Sequence, residues 1–236
     1  DGDEQHLQAN CILQKNIFKN LIKNILPNSH IDSCDTDEES ENLDVSSYDA
    51  FMWTGGGGNI YEKNKHNYFQ LKLCEKIIDK KKPIWGSCWG MQVIVTALGG
   101  VVKKSLKPEF GYSKNIKINN SLLINSIYNN KSRSFDAPAH HYDIIDKLPI
   151  EFKIIAENDM CIQSIYSKQS NIFCTQYHSE LPYDYIANLM IFWKENYKNI
   201  FTETEFDELI KYLNNKEKED KGQRLIEINN WLTSLS

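Results

Sequence analysis

The sequence predicts an α/β protein built on a mostly parallel central sheet with an antiparallel extension. Three stretches carry that prediction. Tyr48-Asp49-Ala50-Phe51-Met52-Trp53 reads as a buried strand that runs straight into the glycine turn Thr54–Asn59, "TGGGGN". Residues from His66 to Lys81 then place Tyr68, Leu71, Leu73, Cys74, Ile77 and Ile78 on one helical face. Pro83 to Gly86 forms a second short buried strand, followed by a helix from Trp89 to Leu98 that Gly99-Gly100 ends. Strand and helix alternating in this way indicate crossover units and a parallel sheet.

The flanking segments follow from the same rules. Leu7 to Leu26 has apolar positions close to helical spacing, and Pro27 stops that helix. His30–Cys34 suggests a short strand, and the acidic run Asp35–Glu41 a solvated loop. Short strands separated by turns are expected near Val101–Val102, Asn115–Ile118, Phe152–Ala156, Cys161–Tyr166 and Asn171–Thr175, which suits the antiparallel extension. Pro182 to Tyr197 returns to helix. Two further helices are expected beyond Phe201, joined by a flexible connector at "NNKEKEDKGQR". The expected organisation is one domain over residues 1–200 and a helical extension over 201–236 that caps it.

Composition narrows the function classes. At 236 residues, with 41% hydrophobic and 25% charged residues, the chain can bury a full core. A formal charge of −5 with scattered lysines argues against nucleic acid as the main partner. Six cysteines without a C-x-x-C pair fit free thiols rather than a disulfide or zinc scaffold. Apolar runs are far shorter than the roughly 20 residues that span a bilayer. With an acidic, polar N-terminus and no visible signal peptide, the expected location is cytoplasmic and away from membranes.

The chemistry centres on Gly86-Ser87-Cys88-Trp89-Gly90, between a strand and a helix. A cramped structural turn would explain the small residues. So would a nucleophile, because strained backbone at such an elbow needs neighbours without bulk and projects its side chain from the sheet's carboxyl edge. The following helix directs its positive end at the thiol and supports its reactivity, and the Trp89 N–H can donate to an oxyanion. A cysteine nucleophile needs a base and an orienting group. Among six histidines, His178 stands at the end of a strand-like segment with Glu180 two residues on. "TGGGGN" lacks the phosphate-binding spacings, and its backbone N–H groups could instead face a reacting carbonyl.

"TGGGGN", "GSCWGMQ" and "QYHSE", in this order, resemble the triad-type class I glutamine amidotransferases, closest to stand-alone bacterial members similar to the amidotransferase part of GMP synthase. "GGVV", "EFGY" (Glu109–Tyr112), "FDAPAHHYD" (Phe135–Asp143) and "EINNW" (Glu227–Trp231) extend the resemblance over nearly the whole chain. It implies a three-layer, flavodoxin-like fold and a Cys-His-Glu triad at Cys88, His178 and Glu180. It implies oxyanion donors at Gly56, Gly57 and Trp89, and a substrate pocket bordered by Gln92, Tyr112 and His141. The sequence departs from the family at Ser179, where proline is usual, in its four consecutive glycines, and at His141-Tyr142-Asp143-Ile144, where His-Ser-Asp-Glu is usual.

The reaction so implied is hydrolysis of the glutamine side-chain amide through a Cys88 thioester, giving glutamate and ammonia without a metal or organic cofactor. With no P-loop and no synthetase domain in these residues, the ammonia would pass to a separate synthetase, a small acceptor or solution. A γ-glutamyl hydrolase or peptidase is the enzymatic alternative. A non-catalytic regulatory subunit is the other, disfavoured by the intact Cys88, His178 and Glu180.

Overall fold

The computed structural model describes residues 2–119 and 127–236. Numbered in chain order, its strands are β1 (Phe51–Trp53), β2 (Ile84–Ser87), β3 (Val101–Ile118), β4 (Ser134–Lys147), β5 (Lys153–Glu157), β6 (Ile162–Ser167) and β7 (Ile172–Thr175). They form one sheet in the order β1-β2-β7-β6-β5-β3-β4. β2 pairs in parallel with β1 and β7, and the other pairings are antiparallel.

The α/β class and a parallel part of the sheet carrying an antiparallel extension are as the sequence predicts. Parallel pairing is confined to three strands. The helix between β1 and β2, α3 (Lys65–Asp79), supplies the long crossover that parallel neighbours require. Short turns instead join β5 to β6 and β6 to β7, and so force antiparallel pairing.

Alternation of side chains along the strands makes three layers. On one face Phe51, Ile84, Ile172 and Cys174 meet Leu73 and Ile77 of α3 and Ile94 of α4 (Trp89–Ala97). On the other, Met52, Trp85 and Phe173 meet Phe18 of α2 (Gln14–Ile25) and Trp231 of α7 (Ile226–Thr233). Trp85 is fully buried, stacked on Phe173 with ring centres 5.0 Å apart and tilted against Trp231 at 5.8 Å. Truncating such a ring to alanine costs about 3–5 kcal/mol. A further cluster joins α5 (Tyr183–Phe192) to α6 (Glu203–Asp220), with Phe110 of β3 and Cys11, which follows α1 (Gly2–Gln8).

Local differences from the sequence reading have local causes. The expected helix from Leu7 to Leu26 is two helices, broken where Asn10 takes a left-handed φ of 57°. His30–Cys34 forms no strand. Most of the expected flexible connector is the end of α6, whose start is fixed by a capping box between Thr202 and Glu205. Among the described residues, no helix is long and apolar enough to cross a membrane.

Candidate active site

β2 ends at Ser87, α4 begins at Trp89, and Cys88 between them has φ 50° and ψ −101°. A side-chain-bearing residue pays roughly 1–3 kcal/mol for such backbone geometry, so the surrounding structure must impose it. The glycines do so by permitting close approach. A Cβ on Gly90 would lie 2.7 Å from the Trp53 carbonyl oxygen, and one on Gly86 would lie 2.7 Å from Ile94 Cδ1. The Cys88 N–H donates to the Thr175 carbonyl (2.7 Å), fixing the elbow to the end of β7. Cys88 thus sits at the carboxyl ends of the parallel strands, where open α/β sheets place their ligands.

His178 arrives from β7. Its N–H donates to the Pro138 carbonyl of β4 (2.8 Å), and its imidazole lies close enough to Cys88 for the thiol to act on its protonation. His178 Nδ1 lies 2.7 Å from Glu180 Oε1, and both side chains are buried. The other carboxylate oxygen accepts from Ser87 Oγ (2.9 Å), which in turn accepts from Trp85 Nε1 (2.9 Å). Burial alone disfavours a charged imidazole. The Glu180 carboxylate and then Cys88 outweigh it, and His178 is raised to about 10.

The glycine turn lies against this series. A Cβ on Gly55 would meet His178 Cε1 at 2.6 Å, and one on Gly56 would meet the Trp89 ring at 3.0 Å, whereas Gly57 faces open space. The Trp89 ring is held by Gln70 Oε1, which accepts from the indole N–H groups of both Trp89 (3.1 Å) and Trp53 (2.8 Å). As the first residue of α4, Trp89 has an N–H with no partner inside the helix. Cys88, His178, Glu180, Gly56 and Trp89 therefore stand together.

The other expected pocket residues divide. Gln92, one turn along α4, donates from Nε2 to the Asp143 carbonyl (3.3 Å). His141 Nδ1 faces the same carbonyl at 3.1 Å, so the two meet on one backbone atom. Tyr112 is joined instead to the helical tail, its ring 4.6 Å from that of Tyr212 on α6. Gly111 beside it has φ +88°, and a Cβ there would lie 2.9 Å from Leu209 Cδ1, so β3 runs close to α6.

Sequence reasoning missed several residues. Ser87 carries no signal beyond its place beside Cys88. Gln176 donates to Cys88 Sγ (3.5 Å), and Arg224 Nη1 donates to the carbonyls of Ser179 and Glu180 (3.1 Å each). Arg224 comes from the tail, 44 residues from Glu180, a separation at which no local pattern exists.

The family model described as glutamine amidotransferase class-I matches residues 9–192. The chain is 32% identical over 146 residues to GMP synthase (glutamine-hydrolyzing) of Borrelia garinii subsp. bavariensis, covering 62% of this chain and 26% of that protein. It is 29% identical over 145 residues to γ-glutamyl-L-1-hydroxyisopropylamide hydrolase of a Pseudomonas species, covering 59% and 49%. In fold it is similar to the crystal structure of a glutamine amidotransferase from Thermotoga maritima, with TM-score 0.72, 18% identity and 94% of each chain covered. The chain spans about a quarter of the length of the GMP synthase it matches.

Proposed function

The chain belongs to the class-I glutamine amidotransferase family, and on that premise we propose that it hydrolyses the side-chain amide of glutamine through a thioester at Cys88. The observation that carries this reading is Cys88 in strained backbone beside His178, which Glu180 holds at 2.7 Å. An imidazolium next to the sulfur complements a thiolate. The thiolate attacks the carboxamide carbon, and the oxygen takes the negative charge. The N–H groups of Trp89 and of the turn at Gly56 and Gly57 stabilise that oxygen. The C–N bond breaks as His178 gives its proton to the departing ammonia. His178 then takes a proton from water, which attacks the γ-glutamyl thioester, and glutamate leaves. Glu180 orients His178 throughout, and Ser87 holds the second oxygen of Glu180.

Gln92 and His141, which share the Asp143 carbonyl, border the glutamine pocket in this reading. Ammonia passes to an acceptor outside these residues, such as a separate synthetase. The relatives named GMP synthase extend well beyond the matched segment, so their complete reaction is not assigned to this chain. The similarity to a γ-glutamyl amide hydrolase supports a second reading, with a larger leaving amine at the same thiol. Turnover of glutamine, γ-glutamyl alkylamides and γ-glutamyl peptides separates the two. Ammonia release from glutamine with the highest kcat/KM is expected. Rapid cleavage of the alkylamides or peptides without glutaminase activity would replace it with the second reading.

A further inference from the structure

A second cluster of the same residue types lies outside the series just described. Glu109 of β3 and His141 of β4 are paired across the sheet, and Cys161 immediately precedes β6. One donor atom from each lies within 4.8 Å of the other two. Glu109 and His141 are buried, with side chains 5% and 3% exposed, and Cys161 is half-buried.

The hydrogen-bonding roles at His141 do not close with a neutral imidazole. Nδ1 faces the Asp143 carbonyl at 3.1 Å, and Nε2 faces Glu109 Oε2 at 3.2 Å. Both partners are acceptors, whereas a neutral imidazole carries one N–H. With that N–H on Asp143, Nε2 and Oε2 oppose lone pair to lone pair, and Nε2 makes no well-formed hydrogen bond. A cation between them resolves the conflict, either as a second proton or as a metal ion. The other groups holding Glu109 are Asn158 (2.8 Å), Gln163 and Cys161, so no lysine or arginine stands among them.

Cys161 adds a third donor atom that a metal ion could use. Its Sγ lies 3.6 Å from the same Glu109 Oε2, donating there as a thiol and able to ligate as a thiolate. A tetrahedral ion with bonds of about 2.0–2.3 Å separates its ligands by roughly 3.3–3.8 Å, and two edges of this triangle are already near that spacing. The Nδ1 contact with a backbone carbonyl is also the outer support that metal-bound histidines usually have. Gln163 Oε1 is buried without a partner, and turning that amide over would offer a fourth oxygen.

We propose that Glu109, His141 and Cys161 form a binding site for a zinc-class divalent cation, separate from Cys88. Nitrogen, carboxylate and thiolate together suit that class better than magnesium or calcium, which take oxygen ligands. The bound ion fixes His141 and, through it, the Asp143 carbonyl that Gln92 also contacts.

Zinc and cobalt(II) titrations of the full chain, freed of metal with a chelator, test this. In a Cys88→Ser background one equivalent of zinc should bind, and cobalt should produce a thiolate-to-metal charge-transfer band. Cys161→Ser in that background should remove the band, and Glu109→Gln should weaken zinc binding at least about tenfold. In the unsubstituted chain, zinc should protect Cys161 from alkylation, read by mass spectrometry, which does not depend on a variant folding. Absence of stoichiometric zinc, a band that survives Cys161→Ser, a band absent from Cys88→Ser alone, or unprotected Cys161 would each overturn the site.

Discussion

Among the described residues, two sets of cysteine, histidine and glutamate lie largely inside the fold, and they are wired in different orders. In Cys88–His178–Glu180 the histidine is the middle member, near the thiol on one side and 2.7 Å from the carboxylate on the other. In His141–Glu109–Cys161 the carboxylate is in the middle, 3.2 Å from the imidazole and 3.6 Å from the thiol. The first order suits the proposed transfer of a proton between a sulfur and a carboxylate-held base. The second turns three donors toward one place. Residue types alone therefore do not separate a proton relay from a ligand set; connectivity does.

Backbone context differs as strongly. Cys88 sits in strained geometry at a helix start, with Gly86 and Gly90 admitting the approach. Cys161 lies in a turn before β6, among the side chains of Gln163 and Glu109.

Four outcomes would break or sharpen this contrast. The largest effect is expected from Glu180→Gln, which removes the carboxylate charge behind His178. Its kcat for glutamine should fall by about 100-fold or more, the usual contribution of a positioned acid–base group; a near-normal kcat would remove the orienting role. The same pair predicts a pH effect. Because His178 is raised from 6.5 to about 10 on folding, its contribution to stability is complete below about 6.5 and is lost as pH rises through about 10. Denaturant midpoints of the unsubstituted chain should therefore fall more steeply over that window than those of Glu180→Gln; parallel curves would contradict the ion pair.

Gly90→Ala tests the elbow, since its Cβ would press on the Trp53 carbonyl. Stability should drop by about 1–3 kcal/mol, whereas Gly57→Ala, with open space around it, should stay within about 0.5 kcal/mol. Equal effects would mean that close packing does not shape the turn. Ser87→Ala removes the hydrogen bond to Glu180 and leaves the buried Trp85 N–H without its acceptor. A loss of about 1–3 kcal/mol in chemical unfolding is expected, together with a lower kcat and little change in KM. A change in KM alone would place Ser87 outside the support of Glu180.

The two sets also mark where sequence is legible. The elbow could be read because its determinants are adjacent: a strand, two glycines, a thiol and an apolar helix within a dozen residues. Glu180 was found for the same reason, two residues from His178. The other set spans Glu109 to Cys161 and depends on the register that places Glu109 opposite His141. That pairing was hidden because β3 carries the exposed, non-alternating run Lys103–Lys107, and because β4 contains Pro138, which reads as a turn residue. Arg224 was missed on similar grounds. Its partners are carbonyls of a loop reached only once α6 has packed, and helix-forming Glu and Lys residues resembled a solvated connector.

The most direct measurement is covalent labelling by an electrophilic glutamine analogue, followed by peptide mass spectrometry. The label should appear on Cys88 alone, and Cys88→Ala should abolish both labelling and glutamine hydrolysis while keeping the native circular dichroism spectrum. A label on Cys161, or turnover that survives in folded Cys88→Ala, would contradict the assignment of the nucleophile.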